Sequence, residues 1–180
     1  MGLSSLFLPF ELRLEAFGLG CSLAVMVTLI HVTGLNQIVG FFRRKSQALR
    51  ARAAHPLLAS WYLGATVLLM LLLHVFNTVI WASVLCGMKL VPDIHDAFYF
   101  SANTYTSLGY GDVPLSRNWR ELAPLMAISG LFTFACTTSQ LFNVMGGHND
   151  TVRELRLKHN KSAPIEPSGH GRTQIETRLK

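Results

Sequence analysis

Three stretches of this chain contain no Asp, Glu, Lys or Arg: Ala16–Phe42, Pro56–Met88 and Leu122–Gly147. Each exceeds the roughly 20 residues with which a helix crosses about 30 Å of hydrocarbon. They predict an all-α membrane protein with three spans, near residues 16–39, 61–86 and 121–145. Of 180 residues, half are hydrophobic and 14% are charged, less charge than a water-soluble domain usually carries.

The net charge of +6 raises the question of nucleic acid, and its distribution argues against that partner. Arg43, Arg44, Lys45, Arg50 and Arg52 lie between the first and second spans, and seven more Lys and Arg follow the third, from Arg153 to Lys180. The positive-inside rule places the 43–56 loop and the C-terminus in the cytoplasm. Three spans then place the N-terminus outside. The basic clusters are also suited to anionic lipid headgroups. No basic cluster precedes the first span and its apolar run is too long for a cleaved signal, so the first helix is expected to stay as an anchor. Leu6 stands where a myristoylation motif needs Ser or Thr. Cys21, Cys86 and Cys136 fall in three different spans without metal-type spacing, as small buried hydrophobes would.

The chain divides into an N-terminal segment with the first span and basic loop (1–56), a central unit (57–147) and a basic tail (148–180). Residues 1–15, with Pro9 and Glu11–Glu15, suit an interfacial turn or short helix. Trp61, Tyr62 and Trp81 sit near the two ends of the second span, as interfacial aromatics do. In the tail, Thr151–Lys158 has the pattern of a short amphipathic helix. Beyond Asn160, Pro, Ser, Gly and charge predict disorder.

The stretch from Lys89 to Glu121 has both ends outside. Asp93 can cap a helix, with Asp96 in its first turn. A helix from Ile94 to about Thr106 is about 20 Å long, too short to cross, so it is expected to be re-entrant. Non-helical backbone at membrane depth is tolerated where it is buried in protein or lines a water-filled path. The return runs through Ser107-Leu-Gly-Tyr-Gly-Asp112. Glycines there allow positive φ, so successive carbonyls can face one axis. Oxygen ligands without thiol or imidazole suit a hard cation.

At Thr104-Tyr-Thr106-Ser107-Leu108-Gly109-Tyr110-Gly111-Asp112 the chain resembles the pore of potassium channels, whose signature reads Thr-x-Thr-Thr-Val-Gly-Tyr-Gly-Asp. Ser107 keeps the hydroxyl of the family's Thr, while Leu108 replaces a β-branched residue. The resemblance covers about residues 57–147. It implies that backbone carbonyls of Ser107, Leu108, Gly109 and Tyr110, with the Ser107 hydroxyl, hold dehydrated K⁺ as the permeant ion. Gly111 forms the outer lip, and Tyr110 braces the strand against pore-helix aromatics. Thr104 and Thr106 support the filter. Asn103 stands where some relatives pair a glutamate with the filter aspartate, so it is expected to donate to Asp112. No cofactor is implied.

In the third span, Asn118-Trp-Arg-Glu121 has the form of a capping box, and Pro124 can bend the first turns. Gly130 is either the family's gating hinge or a close-packing residue. Ser129, Thr133, Thr137 and Gln140 share one helix face. Thr133 and Thr137 are expected to line a wet cavity below the filter, the alternative being hydroxyls bonded within the helix. His74 and Asn77 lie mid-span, where polar residues are functional candidates. His74 can bond Thr28, His31 or Asn36 on a neighbouring helix, or sense pH.

One chain supplies one filter strand, so the resemblance implies a homotetramer, with the first helix packed peripherally. No span carries the periodic arginines of a voltage sensor. The expected function is passive K⁺ permeation. A weakly selective monovalent cation channel and a non-conducting partner subunit are the alternatives. Neither loops nor spans offer a nucleophile–base pair at a recognisable spacing, so an enzyme is not expected.

Overall fold

The computed structural model describes residues 14–52, 55–113 and 115–162. Within them are four helices: α1 (Leu14–Ala51), α2 (Pro56–Gly87), α3 (Ile94–Tyr105) and α4 (Leu122–Ser162). Three of them, α1, α2 and α4, are long and apolar enough to cross a membrane. The expected interfacial turn before α1 and the disordered tail from residue 163 onward lie outside the described residues.

The helices outrun the spans read from sequence. α1 has 38 residues, about 57 Å at 1.5 Å per residue, so it continues several turns beyond the hydrocarbon. The basic stretch expected to be a loop is mostly helix, because Arg43 to Ala51 contains no Gly or Pro to stop it. Pro56 then opens α2 at a position where its missing N–H costs nothing. His55 caps that helix, its Nδ1 accepting from the Leu57 N–H at 3.4 Å.

α4 likewise passes straight through Gly146–Gly147, so the helix expected at Thr151–Lys158 is part of α4 and runs on to Ser162, two residues into the stretch expected to be disordered. Each glycine costs a helix only about 1 kcal/mol, and packing against α1 offsets it. Thr151 and Leu155 are buried. Arg50 of α1 donates to the Thr151 hydroxyl at 2.8 Å and the Gly147 carbonyl at 3.3 Å, and it pairs with Glu154 at 3.4 Å. The Lys158 ammonium bonds Glu154 and holds its carboxyl below the usual range. At this exposure the pairs fix orientation more than they stabilise.

α2 ends in a left-handed cap. Lys89 has φ 57, with its N–H bonded to the Cys86 carbonyl and that of Leu90 to the Leu85 carbonyl, both at 2.9 Å. This pairs the last carbonyls of the helix and turns the chain toward α3. There Asp93 caps as expected, accepting from the N–H groups of His95 at 2.8 Å and Asp96 at 3.1 Å. Those bonds, that from Asp96 foremost, hold its carboxyl below the usual 3.8. The cap therefore contributes fully above that value and is lost as pH falls through the lowered folded value. Asp93→Asn keeps the cap, and should abolish the part of wild-type acid destabilisation that sets in below about pH 3.8. Thermal unfolding from pH 5 to 2 measures this; parallel curves for the two proteins would contradict it.

The expected capping box at the start of α4 does not form. The helix begins at Leu122, after turns in which Trp119 bonds Ser116 and Leu122 bonds Trp119, so Asn118 lies too far upstream. Pro124 is the third residue of α4, in the turn whose N–H groups have no helical partner anyway.

One core cluster joins Val27, Trp81, Leu85, Ala97, Tyr105, Leu122 and Met126 from all four helices. A second joins Leu35, Val39, Phe42, Met70 and Val144. α1 contributes to both and lies against α2 and α4. Within one chain it is thus an integral member of the bundle. One face of α2, including Leu68, Leu71, Leu72, Val75 and Phe76, stays exposed, as suits contact with lipid.

Candidate functional site

The short helix α3 ends at Tyr105 against α4. A Cβ on Gly130 would collide with the Tyr105 backbone, meeting its carbonyl oxygen, its carbonyl carbon at 2.9 Å and its ring at 3.2 Å. Gly130 is eight residues into α4, about 12 Å from that helix's outer end. The C-terminal, negative end of α3 is therefore fixed against α4, about two turns from that helix's start. Gly130 is occupied by close packing, the second of the two roles the sequence left open.

From this point the chain returns outward. Ser107, Gly109 and Gly111 have φ of 61, 62 and 77, and Leu108 and Tyr110 between them do not share the positive φ. Alternation of this kind can turn successive N–H groups to one side. The inner end is anchored, since the Asn103 carbonyl accepts from the N–H groups of Leu108 at 2.8 Å and Gly109 at 3.2 Å. All residues from Thr106 to Asp112 are exposed in the single chain.

The supports differ in part from those expected. Asp112 is held by Tyr99, whose hydroxyl donates to its Oδ2 at 2.9 Å. Asn103 does not reach it. Its side chain is buried, and its Nδ2 has no hydrogen-bond partner among the described residues. Tyr99 lies one helical turn before Asn103, on the same face and nearer the outside, so the longer side chain at the outer level reaches the aspartate. The Thr106 hydroxyl is used on the Ala102 carbonyl at 2.7 Å. Thr104 lines a recess of about 370 Å³ between α3, the return strand and α4, with Asn103, Ser107, Gly109, Tyr110 and Ala127. Tyr110 is 68% exposed and makes no ring contact with an aromatic among the described residues, so the expected brace is not formed within one chain.

Thr133 and Thr137 do not follow the cavity expectation, and for Thr133 the alternative, a hydroxyl bonded within its own helix, is what forms. They turn into the bundle, away from the exposed face of α4 that carries Ile128, Leu131, Phe132 and Phe142. Thr133 is fully buried, bonded to Tyr105 at 2.5 Å and to the Gly130 carbonyl at 2.8 Å. Thr137 bonds His31 at 2.8 Å and His74 at 3.0 Å. Helical periodicity groups such residues on one face but does not say what that face meets. Here polar partners on α1, α2 and α3 claim it. His74 also reaches Tyr105 at 3.3 Å and stacks on Phe134 with ring centroids 4.1 Å apart. Asn77 donates to His31 at 2.8 Å and to Tyr105 at 3.0 Å. Of the three partners considered for His74, only His31 is at hand, with ring centroids 4.6 Å apart. The Thr28 hydroxyl bonds its own helix, and Asn36 is exposed.

Residues 58–146 match a family described as ion channel. The chain is 32% identical over 92 residues to a voltage-gated potassium channel, Kch, of Escherichia coli (strain K12). That alignment takes in 49% of this chain and 22% of the relative. The chain thus spans under a quarter of the relative's length. No solved structure matches. The short capped helix α3 and the irregular segment after it, with positive φ at alternate residues, lie between two long apolar helices and fall wholly within the matched segment. Residues 58–146, just under half of the chain, are therefore similar to the ion-channel family, and a stretch of 92 residues is similar to part of a potassium channel.

Proposed function

We propose that four copies of this chain form a passive K⁺-selective pore, each supplying one filter strand from Ser107 to Gly111. The observation that carries this reading is the alternating backbone at those residues. It supports a row of oxygens facing one side, immediately after a helix whose negative end favours a cation. Such oxygens replace the water shell of a hard cation. A homotetramer is favoured by what one chain leaves unpartnered: the filter itself, the Tyr110 ring and the apolar face of α4 at Ile128, Leu131 and Phe142. By the charge pattern, the N-terminus faces outside and the basic ends of α1 and α4 lie in the cytoplasm, beside anionic headgroups.

Purified protein in liposomes should carry K⁺ down its gradient and pass Na⁺ at least about tenfold less readily, as a difference of about 1.4 kcal/mol between the ions requires. Equal fluxes would favour a second reading, a weakly selective monovalent cation channel. Leu108 favours that reading, since it stands in place of a β-branched residue and is 55% exposed, with little to pack it. No flux of either ion would leave a partner subunit with a channel fold.

A further inference from the structure

We infer that His31, on the helix outside the family-matched segment, is a positioning residue for the filter, acting through Asn77 and Tyr105. The inference rests on the channel reading for its consequence, and on hydrogen-bond geometry for its mechanism.

With both imidazoles neutral and the Asn77 amide as placed, the buried contacts admit one consistent set of donors, in which Asn77 Oδ1 has no partner among the described residues. The Thr133 hydroxyl donates to the Gly130 carbonyl, so it accepts from Tyr105. The Tyr105 proton is then used, and His74 Nδ1–H must donate to the Tyr105 oxygen. His74 Nε2 is left to accept from Thr137. The Thr137 proton is in turn used, so His31 Nε2–H donates to Thr137. His31 Nδ1 accepts from Asn77, whose other amide proton goes to Tyr105. Each imidazole donates at one nitrogen and accepts at the other, as a neutral ring does. The contacts close a ring of five side chains, His31–Asn77–Tyr105–His74–Thr137, drawn from all four helices.

Tyr105 is the point where this ring meets the pore. It is the last residue of α3, 1% exposed, and two residues from Ser107, the inner end of the filter. Its hydroxyl carries three of the bonds, and its carbonyl lies on Gly130. A shift of Tyr105 therefore moves the inner end of the filter strand. His31 bonds both Asn77 and Thr137, and so stands on both arms of the ring that lead back to Tyr105. No other α1 side chain bonds these groups among the described residues. Removing His31 leaves one Asn77 amide proton without its acceptor and the Thr137 oxygen without its incoming donor, while Asn77 keeps Tyr105 and Thr137 keeps His74; in a buried setting such an unmet polar group is costly. Both then seek new geometry and pull on Tyr105. α1 is thereby part of the filter's support.

The test compares wild type, His31→Leu and His31→Gln in the full chain. Gln keeps one acceptor and one donor near the imidazole positions. Two readouts are taken: the K⁺/Na⁺ permeability ratio in liposomes, and hydrogen exchange of the amides of residues 102–109. His31→Leu should cut the permeability ratio about tenfold and speed exchange at the α3 end, with the far-UV helical signal unchanged, and His31→Gln should restore both. Wild-type values for both readouts in His31→Leu would overturn the inference, as would a loss that Gln fails to restore. If the wild type proves unselective, the channel reading fails by itself and the exchange comparison alone decides whether His31 positions Tyr105. If His31→Leu does not fold, Tyr105→Phe, which keeps the ring and removes the hydroxyl, must reproduce the loss; retention of wild-type selectivity and exchange would overturn the inference.

Discussion

Gly130→Ala is expected to destabilise the folded protein by about 1–3 kcal/mol per chain, the usual cost of forcing an extra carbon into a packed interior. The added methyl has no room, because what it meets is the Tyr105 backbone and not a flexible side-chain tip. Either α3 and α4 part, or the end of α3 tilts. Both outcomes disturb the filter, so flux should fall together with thermal stability. A gating hinge predicts a different result, with opening altered and the unfolding temperature unchanged. Thermal unfolding of the purified variant beside its flux distinguishes the two, and an unchanged unfolding temperature would contradict the close packing.

Gly109→Ala is expected to do the reverse, abolishing selective flux while leaving the bundle intact. Nothing lies within 4 Å of a Cβ at this position, so the fold meets no clash. The cost is in the backbone. At φ 62 an alanine sits in the left-handed region at about 1–2 kcal/mol, and the strand relieves it by turning a peptide unit. In the proposed assembly the strain of four copies, about 4–8 kcal/mol in all, drives the four peptide units to turn. K⁺ flux should drop at least about a hundredfold, since each 1.36 kcal/mol corresponds to a factor of ten, at an unchanged unfolding temperature. Wild-type flux in this variant would remove the strand from the ion path.

The two substitutions show how sequence and structure divide the information. The spans were readable because charge-free length is a property of composition alone. So was α3, whose start at Asp93 is a local hydrogen-bonding device. The true ends of α1 and α4 were not readable, because Arg50, Thr151 and Glu154 hold them by contacts about a hundred residues apart. The direction of the Thr133–Thr137 face was hidden for a related reason. The spacing of hydroxyls is the same whether they meet water or histidine, and only the placement of His31 and His74 decides. Carrying a relative's pairing over by position misassigned Asn103, because reach matters more than register: a tyrosine one turn outward satisfies Asp112. A signal for it was present in the i, i+4 spacing of Tyr99 and Asn103.

The most direct test of the central claim is a density map of the detergent-solubilised particle in K⁺. Four protomers about one axis are expected, with the carbonyl oxygens of residues 107–110 turned toward that axis and ion density strung between them. A monomeric particle, or an assembly in which those oxygens face away from any common centre, would contradict the proposed pore.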